Sequence, residues 1–236
     1  MESNIVKKVP PTVYYLPNFI TAEEEKYLID CVYEAPKPKW TNLAHRRLQN
    51  WGGLPHPKGM IPESLPKWLE IYIAKINSLG VFGDKTANHV LVNEYLSGQG
   101  IMPHEDGPLF YPTITTINLG SHTLLDFYER LQEEGPDQRL DSNTQELEAS
   151  SFSRRHFASL LLEPRSLLIV KDDMYHNYLH GIKEVEEDII TNKVANLNSC
   201  ETKIGSVFKR STRISLTIRH VPKTLKNKFI LGNMFR

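Results

Sequence analysis

The sequence predicts an α+β chain that is mainly β, with antiparallel sheet at its centre and amphipathic helices packed on the outside. Two segments before residue 88 repeat apolar residues at helical spacing, and from His89 the texture turns to short runs rich in β-branched residues. Gly, Pro and charged clusters separate those runs, as they separate strands.

Taken in order, Thr21-Ala22-Glu23-Glu24 reads as a capping box, where a Thr hydroxyl and a Glu carboxylate each satisfy a backbone N–H at the start of a helix. Tyr27, Leu28, Cys31 and Val32 follow at helical spacing, and Pro36 stops the helix. A second helix is predicted from about Pro62-Glu63, with Leu65, Trp68, Leu69, Tyr72, Ile73 and Ile76 on one broad face and Gly80 at its end. The predicted strands are HVLVNEYL, TITTINL, TLLDFYE, ASLLLE, SLLIVK and RISLTIRHV. Two polar inserts interrupt them, at about 130–155 and 183–206. The first holds Glu133, Glu134, Asp137, Asp141, Glu146 and Glu148, and reads as a solvated surface loop.

With 236 residues, 40% of them hydrophobic, the chain is long enough for one domain with a large core. Residues 1–88 carry the helices, 89–221 the strand core and 222–236 a basic tail. Lys plus Arg and Asp plus Glu both number 28, so any attraction to a polyanion must be local. One local bias exists: from Lys203 to Arg236 there are nine Lys or Arg and no Asp or Glu, a pattern that fits a solvated face and an anionic partner equally. Apolar runs are far shorter than the roughly 20 residues that cross a bilayer, and the first twenty residues lack the features of a secretory signal. Cys31 and Cys200 offer no disulfide framework, so a reducing location, cytoplasm and nucleus, is expected.

His104-Glu105-Asp106 sets an imidazole and a carboxylate two residues apart, which on an extended backbone point to the same side. Alone this is weak. A later His180-Gly181 supplies a second imidazole, and two imidazoles plus one carboxylate form the facial triad that leaves three positions open on non-haem iron(II). His176 rivals His180 as the distal ligand, since the two would make an i, i+4 pair able to bind zinc on a helix. The glycine after His180 and the strand texture around it favour His180. His89, His122 and His156 read as surface or satisfied polar residues.

Arg213-Ile214-Ser215-Leu216-Thr217-Ile218-Arg219 alternates, placing Arg213, Ser215, Thr217 and Arg219 on one strand face. Two arginines facing one interior are costly unless an anion meets them. A dicarboxylate fits that requirement, because a guanidinium grips a carboxylate with two parallel hydrogen bonds.

Asn93-Glu94-Tyr95, His104-x-Asp106, the distal His180 and Arg213-x-Ser-x-Thr-x-Arg219 together resemble the motif set of AlkB-type dioxygenases, over about Pro11 to Val221. The resemblance implies a double-stranded β-helix (jelly-roll, cupin-like) core and an oxidoreductase that uses Fe(II), with 2-oxoglutarate and dioxygen as co-substrates. It implies that His104, Asp106 and His180 hold the metal, that Asn93 and Tyr95 hydrogen-bond 2-oxoglutarate, that Arg213 pairs with its distal carboxylate and that Arg219 lies near its metal-side carboxylate. Ser215 and Thr217 complete the motif, although the usual family residue at position 215 is Asn. It further implies oxidative demethylation of N-methylated RNA or DNA, preferably single-stranded; a monomer is expected. The alternatives are a protein-modifying dioxygenase and a nucleic-acid-binding module with a structural metal. A nucleotide-recognition lid would fall within 1–88. Trp40, Trp51, Phe110 and Tyr111 are candidate stacking platforms for a base, with Arg46 a candidate substrate contact and His45 and Arg47 nearby.

Overall fold

The structure, a computed structural model, describes residues 2–131 and 151–225. Helix α1 (Ala22–Glu34) opens on the expected capping box: Thr21 Oγ1 accepts from the Glu24 N–H at 3.1 Å, and the Glu24 carboxylate accepts from the Thr21 N–H at 2.7 Å. Helix α2 (Lys67–Asn77) starts later than its apolar face suggested. Pro66 caps it, and a residue before proline is driven out of the helical region, so 62–65 stays extended. The Glu63 N–H is accordingly donated to the Gly52 carbonyl at 3.1 Å.

The strands are β1 (Val13–Leu16), β2 (Trp40–Leu43), β3 (Arg46–Trp51), β4 (His89–Tyr95), β5 (Ile101–His104), β6 (Thr113–Gly120), β7 (Thr123–Glu129), β8 (His156–Leu162), β9 (Leu167–Lys171), β10 (Tyr178–Ile182), β11 (Glu187–Ile189), β12 (Val207–Lys209) and β13 (Arg213–Arg219), with a short helix α3 (Asp172–Asn177) before β10. They form a seven-stranded sheet, β1-β9-β6-β13-β4-β3-β2, a four-stranded sheet, β5-β10-β7-β8, and a two-stranded ribbon, β11-β12. Every pairing between these strands is antiparallel. This is the two-sheet jelly roll of a double-stranded β-helix.

Side-chain parity distributes the core. From the large sheet, Val90, Val92, Ile117, Leu119, Leu167, Ile169, Ile214, Leu216 and Ile218 pack against Leu28 and Val32 of α1 and Leu69, Tyr72, Ile73 and Ile76 of α2. The alternate residues turn the other way. Val13, Tyr15, Tyr95, Leu168 and Val170 meet Leu125, Phe127, Leu160 and Leu162 of the small sheet, closing the space between the sheets around a cavity.

Two further expectations change. The stretch 40–51 forms a hairpin, β2–β3, that extends the large sheet, with Arg47 paired to Glu94 in register. The 183–206 segment, predicted as a polar insert, is built into the fold. Its Ile190 and Val194 bury against Leu161, and Asn196 brackets the Leu161 backbone, accepting its N–H at 2.9 Å and donating to its carbonyl at 2.8 Å. Short apolar contacts inside polar sequence give no periodic signal, which is why the packing was not visible in the residues alone. Most of the 130–155 insert and the tail beyond 225 lie outside the described residues.

Parity also buries a carboxylate on the outer face of the small sheet. Asp126, 2% exposed, accepts from Ser159 Oγ at 2.5 Å, and has Lys183 Nζ at 3.0 Å and His156 Nε2 at 3.3 Å. Burial pushes its pKa up, but hydrogen bonds from His156 and Ser159 and the Lys183 charge outweigh that and hold it at about 2. A depressed carboxyl stabilises the fold above its unfolded pKa, and the stabilisation is lost as pH falls through the folded value, here between about pH 4 and 2. We expect Asp126→Asn to cost roughly 2 kcal/mol at pH 6, a difference that shrinks as urea melts of both proteins are taken down to pH 3.

Candidate active site

Strand β13 lies between β4 and β6, and its register sets the site. Arg213 sits opposite Tyr95, Ser215 opposite Asn93 on one side and Asn118 on the other, and Arg219 opposite His89. Paired residues share a sheet face, so Asn93, Tyr95, Arg213, Ser215, Thr217 and Arg219 all line the cavity between the sheets, a space of about 280 Å³. His104, Asp106 and His180 line it from the small sheet.

The two imidazoles meet because β10 pairs with β5 and His180 lies directly across from His104, with ring centroids 4.5 Å apart. Gly181 permits that approach. A Cβ there would stand 2.9 Å from the Pro103 nitrogen and 3.0 Å from the Ile101 carbonyl oxygen, so a larger residue would push β5 and its histidine away. The glycine after the distal histidine therefore has a steric cause.

His104 Nδ1 lies 2.8 Å from the Met102 carbonyl oxygen, which can only accept. That contact makes Nδ1 a donor and leaves Nε2 as the ring nitrogen open to a metal ion. Burial pushes the His180 pKa down to about 4, keeping its ring neutral. For Asp106 burial raises the pKa, but Arg219, His180 and His104 outweigh it, and the carboxyl is held below its ordinary value. Asp106 Oδ1 accepts from Arg219 Nη2 at 2.6 Å, and Oδ2 lies 3.7 Å from His180 Nε2. Leaning on Arg219, the carboxylate does not close a metal cage by itself, and among the described residues no three His, Cys, Asp or Glu side chains stand in ligating geometry. The donor set still fits an iron(II) ion: two imidazoles, His180 held neutral by burial and His104 turned by its backbone contact, and one ionised carboxylate on a shared cavity.

Arg213 is 4% exposed, and its Nη2 donates to Asn118 Oδ1 at 2.6 Å while Nε has no partner among the described residues. Among the described residues no carboxylate pairs with it. Burial pushes its pKa down to about 10. A buried guanidinium that lines a cavity without a carboxylate partner is a site made for an anion.

The structure places the other sequence-derived candidates unevenly. Arg46 lines the cavity, donating from Nε to Asn93 Oδ1 at 3.2 Å. Phe110 lies outside the cavity lining but under the Arg219 guanidinium, 4.4 Å from its ring, and beside His89. Trp40, Trp51 and Tyr111 do not line the cavity and pack instead on the helix-facing core. Trp40 stacks under Arg47 at 4.1 Å, Trp51 sits edge-on to Trp68 at 5.7 Å, and Tyr111 leans on Phe82. An indole or phenol beside an open apolar face is drawn into the core before it can serve as a platform. Arg47 is occupied by Glu94, and His45 by Glu184 at 3.2 Å on the surface. His176 sits exposed on α3, which ends at Asn177, so no helical pair with His180 forms.

Two functional candidates escaped sequence reasoning. Asn118, which holds Arg213, shares the inward parity of Ile114 and Thr116 on β6, a signal available only once the strand's orientation is known. Tyr175 lines the cavity from α3 and donates to the Gly107 carbonyl just beyond Asp106, a long-range contact with no local motif.

Comparison with known proteins gives a consistent result. A family model described as the 2OG-Fe(II) oxygenase superfamily matches residues 39–219. The chain is 56% identical over 232 residues to a Danio rerio protein named "Probable RNA/DNA demethylase ALKBH6", covering 98% of this chain and 95% of that one. Its fold resembles that of OsALKBH1, with TM-score 0.54, 13% identity and 90% and 98% of the two chains covered. It also resembles a Pseudomonas putida prolyl-4-hydroxylase, with TM-score 0.52, 10% identity and 96% and 100% covered.

Proposed function

The chain belongs to the 2OG-Fe(II) oxygenase superfamily, and on that premise we propose that it is an oxidative demethylase of N-methylated nucleic acid, RNA or DNA, taken in single-stranded form by a monomer. The observation that carries the reading is one cavity lined together by His104, Asp106, His180 and the buried Arg213, whose guanidinium has no carboxylate partner among the described residues. The 56% identical zebrafish protein, named for RNA and DNA demethylation, supports the substrate class.

In this reading His104, Asp106 and His180 would hold the iron. Bound iron(II), with 2-oxoglutarate and dioxygen, supplies oxidation of an N-methyl C–H bond; the hydroxymethyl product releases formaldehyde, and the co-substrate leaves as succinate and carbon dioxide. The chain's own groups do the rest. Arg213 fixes the distal carboxylate of 2-oxoglutarate, while Asn93 and Tyr95 border its length. Arg219 keeps Asp106 ionised and oriented, and Phe110 packs on the guanidinium that does so. Ile101, Leu125, Leu162, Leu168, Val170 and Ile182 give the cavity apolar walls that exclude bulk water.

The test incubates the protein with iron(II), 2-oxoglutarate, ascorbate and a panel of single-stranded N-methylated oligonucleotides, measuring formaldehyde and succinate. Formaldehyde in step with loss of one methylated base is expected. Succinate without demethylation of any oligonucleotide, and formaldehyde from methylated peptides instead, would overturn the substrate assignment.

A further inference from the structure

Two asparagines flank Ser215 in register, Asn93 on β4 and Asn118 on β6, and each turns its amide oxygen to a guanidinium. Asn118 Oδ1 accepts from Arg213 Nη2 at 2.6 Å, and Asn93 Oδ1 accepts from Arg46 Nε at 3.2 Å. Their amide nitrogens differ. Asn118 Nδ2 donates to Ser166 Oγ at 3.1 Å, whereas Asn93 Nδ2 makes no hydrogen bond among the described residues and Asn93 lines the cavity.

From this asymmetry we propose that Arg46 is a positioning residue for the co-substrate: it fixes the orientation of the Asn93 amide so that Nδ2 is presented to 2-oxoglutarate as a donor. The inference rests on the 2-oxoglutarate reading above, and it moves Arg46 from the substrate to the co-substrate side of the cavity. The physical reason is the donor inventory. A guanidinium has only N–H groups to offer, so an amide turned the other way would set donor against donor; with Arg46 in place only the oxygen-inward orientation is stable. Asn93 then faces the cavity as a pure donor, complementary to the carboxylate and keto oxygens of 2-oxoglutarate, which only accept. Without Arg46 the amide is free to present oxygen to oxygen, and some of the bound state is lost to the wrong orientation.

The placement of Arg46 adds a consequence. It stands at the start of β3 in the β2–β3 hairpin, and its neighbour His45 pairs with Glu184 in the loop just beyond β10. The hairpin is thus tied to the cavity through Asn93 and to the strand that carries His180 through its outer tip.

The experiment titrates 2-oxoglutarate anaerobically into the iron(II)-loaded full chain, following the visible metal-to-ligand charge-transfer band, with calorimetry in parallel. Arg46→Met should weaken 2-oxoglutarate binding roughly tenfold, the loss typical of one charge-assisted hydrogen bond. Arg46→Gln, whose amide nitrogen still donates, should recover part of it. Asn93→Asp keeps the pairing with Arg46 but has no donor for the cavity, and should weaken binding at least as much as Arg46→Met; it also decides the question if Arg46→Met folds poorly. With nucleic acid as the varied substrate and 2-oxoglutarate saturating, KM in Arg46→Gln should match wild type. Unchanged 2-oxoglutarate affinity in Arg46→Met together with a raised KM for nucleic acid would overturn the proposal and return Arg46 to the substrate side. Absence of the band and of binding heat in wild type would overturn the co-substrate reading itself, and the proposal with it.

Discussion

Arg213→Ala is expected to weaken 2-oxoglutarate binding by roughly a hundredfold to a thousandfold while leaving the protein alone as stable as before or slightly more so. The two effects have one cause. In the protein alone the guanidinium is 4% exposed, and among the described residues its Nε has no partner and no carboxylate pairs with it, so its burial is a standing cost. When the distal carboxylate of 2-oxoglutarate arrives, that cost becomes a desolvated, charge-assisted pair, and removing one partner of such a pair typically costs about 2–5 kcal/mol. Calorimetry of 2-oxoglutarate binding under argon reads the first effect and thermal unfolding without co-substrate reads the second. A melting temperature that falls by many degrees with little change in affinity would make Arg213 a structural residue. Arg213→Lys should fall between, since an ammonium keeps the charge but lacks the planar fork.

Asp106→Ala should abolish turnover, a loss of about a thousandfold or more, which corresponds to a barrier rise of roughly 4 kcal/mol. The carboxylate would be the only anionic ligand among the three, and its removal also leaves Arg219, 2.6 Å away, as a second buried cation facing the metal position. Both changes act against a divalent ion, so iron(II) affinity should fall with activity and the charge-transfer band should not form. His176→Ala is the paired control. Its ring is exposed on α3 and lies off the cavity, so activity and the band should match wild type. Equal losses in both variants would show that the ligand set has been drawn wrongly.

Much of this site is legible in the residues. The alternation of Arg213-x-Ser-x-Thr-x-Arg219 gives the inward face of β13, because side-chain direction along a strand repeats every two residues. The capping box at Thr21 gives the start of α1, because both of its hydrogen bonds close within four residues. Less was legible where aromatic residues were concerned. Trp40, Trp51 and Tyr111 have the composition of a base platform, but whether such a ring packs on the core or faces a ligand depends on which apolar surface lies nearby.

Residue order along the chain sets the kinds of side chain, their spacing along strands and the charge they carry, which is enough to nominate a facial triad and an anion-binding arginine. Which of these groups meet is settled by the folded arrangement. His104 and His180 stand 76 positions apart in the chain and become neighbours through the β5–β10 pairing that Gly181 allows; Asn118 reaches Arg213, and Arg46 reaches Asn93, across strands distant in sequence. Local hydrogen bonds and side-chain periodicity are set by neighbours along the chain, whereas cross-strand register and parity between sheets are set by burial of the whole core, and no single segment carries that information.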